Sequence, residues 1–203
     1  MIRLGVTGGI GSGKSTVAHY VARFCGGMVL DADAFSREST APAGAAIAKI
    51  AQVLGSEFID HDGGLNRRVA RQRAFSDPSF RRHLEAIIHP IVQAEMMRTE
   101  LECSASGVPI TIADIPLLVE SGRHWRAHLD CILVVDCDEA TQVHRVQSRN
   151  QIPPEEIKAI IAAQATRAQR LACADLVVCN DGISLTELGK LCQQVSTILR
   201  CKN

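Results

Sequence analysis

The 203-residue sequence predicts an α/β fold: three layers around a five-stranded parallel sheet, with a helical insertion between the second and third strands. Three observations predict it. Five short apolar runs (Ile2–Thr7, Met28–Leu30, Pro109–Ala113, Cys131–Val135 and Asp175–Cys179) have the near-continuous hydrophobicity of strands buried on both faces. Segments of helical periodicity separate them. The stretch from about residue 35 to 107 is rich in alanine and arginine and shows no such run.

In chain order, the first strand ends in the glycine loop GGIGSGKST, residues 8–16. Val17, Tyr20, Val21 and Phe24 then recur at helical spacing until Gly26-Gly27 stops the helix. The second strand follows at once, so the opening is a βαβ unit with a right-handed crossover. Within the insertion, breaks are expected at Pro42, Gly55, Gly63-Gly64, Pro78 and Pro90, the last because proline restricts His89 before it. After the fourth strand, Asp138 is placed to cap a helix carrying Gln142, Arg145 and Arg149. Pro153-Pro154-Glu155-Glu156 opens another, because proline and acids favour a first turn. Ser184 and Glu187 form a capping box before Leu188, Leu191, Cys192, Val195, Ile198 and Leu199.

Composition narrows the function classes. With 22 basic and 22 acidic residues, the chain lacks the net charge that draws a protein to nucleic acid or a membrane surface. The eight cysteines form no CxxC pair, and several lie in apolar runs, so reduced, buried thiols are expected rather than a zinc site. The opening MIRLGVTGG enters a strand directly, without the apolar segment of a secretory signal, and no run reaches the length of a membrane span. A cytoplasmic location follows as the expectation.

Gly8, Gly13, Lys14 and Ser15 complete the pattern GxxxxGK[ST] between a strand and a helix, the context a phosphate loop needs. Gly11 and Gly13 let the backbone curl so that its N–H groups, Ser12 and Thr16 included, face a phosphate chain. Lys14 is expected to neutralise the β and γ phosphates, and Ser15 to hold Mg²⁺ through its hydroxyl. Asp31 and Asp33 follow the second strand, where ligands of open α/β sheets bind. If that backbone stays extended, both point the same way, and one carboxylate is placed to accept a proton from an attacking hydroxyl while the other orients a magnesium water or the substrate. The alternative is a helix N-cap, a role open to Asp33. Asp114 ends the third strand as a second candidate to meet the metal through water, or as an ordinary solvated acid. Gln142, Arg145 and Arg149 share a helix face, which is either a γ-phosphate contact or a solvated surface. Arg67, Arg68, Arg71, Arg73, Arg81 and Arg82 concentrate positive charge in the insertion, suited to a phosphorylated acceptor or to a solvated helix face.

Seven segments, VTGGIGSGKSTVA, VLDAD, DGGLNRR with AFSD, LEAIIHP, PLLVE, QVHRVQSR and AAQATRAQRLACADLVVCNDG, occur in an order and spacing that resemble the dephospho-coenzyme A kinase family over nearly the whole length. The resemblance implies a P-loop kinase fold, with a nucleotide core at 1–34 and 108–203, a lid at about 145–170 and an acceptor-binding insertion at 35–107. It also implies transfer of the ATP γ-phosphate to the ribose 3′-hydroxyl of dephospho-coenzyme A, the last step of coenzyme A synthesis. Under it, Asp33 is the general base, Lys14 the phosphate clamp and Arg145 a transition-state contact in the lid. Asn180 and Gly182 then lie near the adenine of ATP, and Arg67, Arg71 and His89 belong to the acceptor subdomain. Two other classes compete. A nucleoside monophosphate kinase shares loop, sheet and lid. A nucleotide-dependent switch or regulatory ATPase would pass the phosphate to water, and the sequence contains neither the NKxD motif of a GTPase switch nor an LSGGQ-type transporter signature.

Overall fold

A computed structural model of the chain describes residues 1–120 and 126–201. Its strands are β1 (Ile2–Gly8), β2 (Met28–Asp31), β3 (Ile110–Asp114), β4 (Cys131–Asp136) and β5 (Leu176–Cys179). Its helices are α1 (Lys14–Cys25), α2 (Ala32–Ser39), α3 (Ile47–Val53), α4 (Arg67–Ser76) and α5 (Pro78–Ala105), then α6 (Glu139–Asn150), α7 (Pro154–Ala163), α8 (Arg167–Ala172) and α9 (Leu185–Arg200). The five strands form one all-parallel sheet in the order β2-β3-β1-β4-β5, as an α/β sheet of apolar strands should.

The chain divides into two compact units. The first comprises Met1–Leu30 and Cys103–Asn203 and holds the sheet. Every residue of β3 and β4 is buried. Leu4, Val6, Ile112, Leu133 and Val135 pack with Val17, Ala18 and Val21 of α1 and with Leu188, Cys192, Val195 and Leu199 of α9. The Ser184–Glu187 capping box starts α9 as the sequence predicts. Burial pushes the thiols of Cys137 and Cys192 up to about 11, so both behave as small apolar groups. Like Cys201, which is also exposed, Cys179 departs from the expectation of buried thiols. It is exposed because β5 is the last strand of the sheet.

The second unit, Asp31–Glu102, is helical and has its own core of Ala46, Ile50, Phe58, Ala70 and Phe80. Phe58 and Phe80 bring their ring centroids to 4.5 Å. Asn66 caps α4 by accepting from the Val69 amide, and Asp77 accepts from the amides of Ser79 and Phe80 where α5 begins at Pro78. One expected break is absent: α5 runs for 28 residues through Pro90. Proline removes one intrahelical hydrogen bond, a cost of roughly 3 kcal/mol. Burial of Phe80 before it, and of Val92, Met96 and Cys103 after it, outweighs that cost. Among the described residues, no helix is long and apolar enough to cross a membrane.

Candidate active site

β1 lies in the middle of the sheet and delivers its last residue, Gly8, to the glycine loop; α1 begins at Lys14. Gly13 has φ 88° and sits against the Asn180 side-chain amide, in the space a Cβ would need. Both facts require glycine there. Register with β1 sets Asp114 beside Val6, so the end of β3 comes up under the start of α1. Asp114 is 2% exposed. Its Oδ1 pairs with the Lys14 ammonium, and its Oδ2 accepts from the Ser15 hydroxyl at 2.8 Å. Lys14, Ser15 and Asp114 are therefore one cluster at the positive end of a helix.

Two further elements close on the same loop. From α6, Arg145 Nη1 lies 3.4 Å from the carbonyl oxygens of both Gly11 and Ser12. Just past β5, the buried Asn180 donates its side-chain N–H to the Ser12 carbonyl at 2.7 Å. Gly182 takes φ 64° in the turn that leads to α9. Thr141 donates to the carboxylate of Asp181 in that turn, and this hydrogen bond is the main cause holding the Asp181 carboxyl below its ordinary range. Thr16 lies on the outer side of α1, where it lines an open groove of about 480 Å³ with Ser15, His19, Tyr20 and Arg23.

Some contacts have no counterpart in the sequence reading. Gln164 Oε1 accepts from the Ile10 amide at 3.0 Å, and Glu120 Oε1 accepts from the Ala165 amide at 2.6 Å. Arg167 joins Asp136 to Asp138 with ion pairs of 2.7 and 3.1 Å. Asp138 is at the N-cap of α6 but makes no side-chain cap bond. The three residues read as one face of α6 separate. Gln142 is buried, Arg145 reaches the loop, and Arg149 is exposed with its Nε bonded to Asn150.

In the helical unit, Asp31 is the N-cap of α2: its Oδ1 accepts from the amides of Asp33 and Ala34 at 2.9 and 3.1 Å. The helix starts at Ala32, so the extended geometry that would align the two acids does not occur. Asp33 is exposed in the first turn, and among the described residues its carboxylate has no hydrogen-bond or ion-pair partner. The arginine cluster divides. Arg67 Nη2 donates to Thr40 Oγ1 at 2.8 Å, while Arg73 and Arg81 pair with Asp77 and Glu85. Arg68, Arg71 and Arg82 have no bonding partner among the described residues, and His89 is exposed.

Residues 2–186 match the family model described as dephospho-CoA kinase. The chain belongs to the dephospho-CoA kinase family. A curated dephospho-CoA kinase of Albidiferax ferrireducens is 48% identical over 200 residues, covering 98% of this chain and 92% of the relative. A solved structure from Thermus thermophilus is 31% identical, with a TM-score of 0.80 and coverage of 98% and 96%. The solved dephospho-CoA kinase of Campylobacter jejuni shares the fold, with a TM-score of 0.72 at 20% identity and coverage of 97% and 96%. As a member of the dephospho-CoA kinase family the chain is a phosphotransferase, and the cluster on α1 is where a P-loop kinase concentrates positive charge.

Proposed function

We propose that this protein transfers the γ-phosphate of ATP to the ribose 3′-hydroxyl of dephospho-coenzyme A, giving coenzyme A and ADP, the last step of coenzyme A synthesis, in the cytoplasm. The observation that carries this reading is the family match over residues 2–186, in a chain whose Lys14, Ser15 and Asp114 meet at the head of α1.

Asp33 takes the proton of the 3′-hydroxyl, the ribose oxygen bonds to the γ-phosphorus, and the bond to the β,γ-bridging oxygen breaks as ADP leaves. Lys14 neutralises the β and γ oxygens, and Arg145 meets the charge on the transferring group. The loop backbone from Gly11 to Thr16 cradles the phosphates, and Asn180 and Gly182 flank the adenine. The donor set suits Mg²⁺: Ser15 Oγ and Asp114 Oδ2 are hard oxygens 2.8 Å apart, and magnesium needs only one or two protein ligands beside water and phosphate. Bound there, Mg²⁺ would neutralise charge between the β and γ phosphates. Ser15 would hold it, and Asp114 would accept from its water; Asp31 is already committed to the α2 cap. The segment at about 145–170 acts as a lid that excludes water. The insertion at 35–107 holds the acceptor, with Arg67, Arg71 and His89 among its contacts.

Coupled ADP release with dephospho-coenzyme A, AMP, CMP or no acceptor tests the proposal. Release only with dephospho-coenzyme A, with coenzyme A confirmed by mass, is the expected result. Release with a nucleoside monophosphate moves the protein to that kinase class, and equal release without acceptor makes water the acceptor.

Asp114→Ala leaves the Lys14 ammonium without its carboxylate in a site where its side chain is 15% exposed. Breaking such a pair from one side is expected to lower unfolding free energy by about 3 kcal/mol. ATP should restore part of the loss by supplying negative charge. Urea melts with and without ATP measure both; a loss below about 1 kcal/mol would rule out the pairing as a stabilising contact.

A further inference from the structure

We propose that Arg170 is a positioning residue for the phosphate loop, a buried guanidinium behind Gly9 whose counter-charge is the phosphate chain of the bound nucleotide. The inference rests on a nucleoside triphosphate occupying the loop and is independent of which acceptor is used.

Arg170 lies on α8 and is 6% exposed. Its Nη1 donates to the Ala165 carbonyl, and among the described residues no carboxylate pairs with it. The neighbouring arginine, Arg167, has two acidic partners although its side chain is 54% exposed. A guanidinium keeps its charge in proteins, so burying one without a counter-ion is unfavourable. That cost is localised behind the loop. A Cβ at Gly9 would lie 3.2 Å from Arg170 Nη2 and 2.7 Å from Gln142 Oε1. Gln142 is 3% exposed and donates through Nε2 to the Cys137 carbonyl, while its Oε1 has no hydrogen-bond partner among the described residues. A cation and an unpaired acceptor, from α8 and α6, thus meet the loop at the one residue whose missing side chain admits them. Gln164 holds the next residue through the Ile10 amide.

Among the described residues three buried side-chain oxygens lack a partner, Gln142 Oε1, Ser12 Oγ and Thr111 Oγ1, and two of them, Gln142 Oε1 and Ser12 Oγ, belong to the phosphate loop or touch it. A buried unsatisfied group calls for an explanation, a bound ion among them. The ligand of this loop is an anion. Without nucleotide, Arg170 costs stability; with the triphosphate bound, its charge acts through one layer of backbone and favours the anion. Affinity and stability should therefore move in opposite directions when the charge is removed, which a residue that only packs would not produce.

Three variants test this, with ATP titrated by calorimetry and nucleotide-free melting temperatures recorded. Arg170→Met is expected to weaken ATP binding about tenfold, the effect of one charge at intermediate range in a partly screened site, with a melting temperature equal to or above wild type. Arg170→Lys, which keeps the charge, should bind ATP within about threefold of wild type. Gly9→Ala should reproduce the weakening with the arginine still present, because its methyl displaces the Gln142 and Arg170 side chains. ATP affinity of Arg170→Met within twofold of wild type overturns the proposal. So does a lower melting temperature accompanied by no rescue in Arg170→Lys. Should Arg170→Met not fold, wild-type ATP affinity in Gly9→Ala is the overturning result. Failure of the wild type itself to bind ATP would instead remove the nucleotide reading on which the proposal stands.

Discussion

Arg145→Ala is expected to lower turnover by about 10³, the lower end of what an arginine over a transferring phosphoryl group contributes. The expectation comes from how weakly Arg145 is held. Its two contacts are carbonyl oxygens at 3.4 Å, near the limit of a hydrogen bond, and among the described residues no carboxylate pairs with it. A guanidinium retained beside the loop by such contacts loses little when it turns to phosphate. Affinity for ATP should fall much less than turnover, because the charge it meets grows in the transition state. Arg145→Lys should recover only part of the rate, since an ammonium cannot make the paired contacts of a guanidinium. Steady-state ADP release and ATP titration separate the two effects. A turnover within tenfold of wild type would return Arg145 to the solvated-face reading.

Asp33→Asn should cut turnover by about 10² or more while leaving ATP affinity within a few-fold. The substitution keeps the shape of the side chain and breaks no hydrogen bond or ion pair among the described residues. The cap of α2 survives because Asp31 makes it. Loss of an acid from the first turn costs only about 0.3–1 kcal/mol of helix stability, so a large kinetic effect cannot be ascribed to unfolding. Single-turnover rates with preloaded ATP give the chemical step directly. If Asp33→Asn turns over within a few-fold of wild type, the proton goes elsewhere.

The fold was legible because its central strands, β1, β3 and β4, are buried almost throughout, and such strands advertise themselves as apolar runs; the edge strands β2 and β5 are partly exposed but keep apolar runs of their own. The loop residues Lys14 and Ser15 were legible for a different reason: contiguous residues perform one task there. Asp31 and Asp33 were harder, since both residue type and position satisfy the N-cap rule. Only the observed start of α2 at Ala32 assigns the cap to Asp31 and leaves Asp33 free. The run through Pro90 was hidden because a local rule about proline carries no information on how much apolar surface a helix buries beyond it. Gln164 and Arg170 escaped altogether, and Gln142 was read only as part of a face with Arg145 and Arg149, not as a buried neighbour of Gly9. Polar side chains on helices or at their ends read as surface, and the task of these three arises from contact with residues more than 100 positions away. The signal available was the AAQATRAQRLACAD segment, quoted for its resemblance without roles for its first glutamine or its second arginine.

The strand order also carries a temporal consequence. β1 pairs on one side with residues 110–114 and on the other with residues 131–135. A nascent chain that has emerged only as far as Glu102 therefore contains the glycine loop but neither neighbour of the strand that anchors it. By then the ribosome has already released Ala46 to Phe80, the aromatic and aliphatic nucleus of the helical unit, whose contacts are short in sequence. Contacts close along the chain form fastest, and domains fold as units during synthesis. During synthesis, the helical unit is thus in a position to condense first, and phosphate affinity arrives late, when β4 slots in beside a strand made at the very beginning.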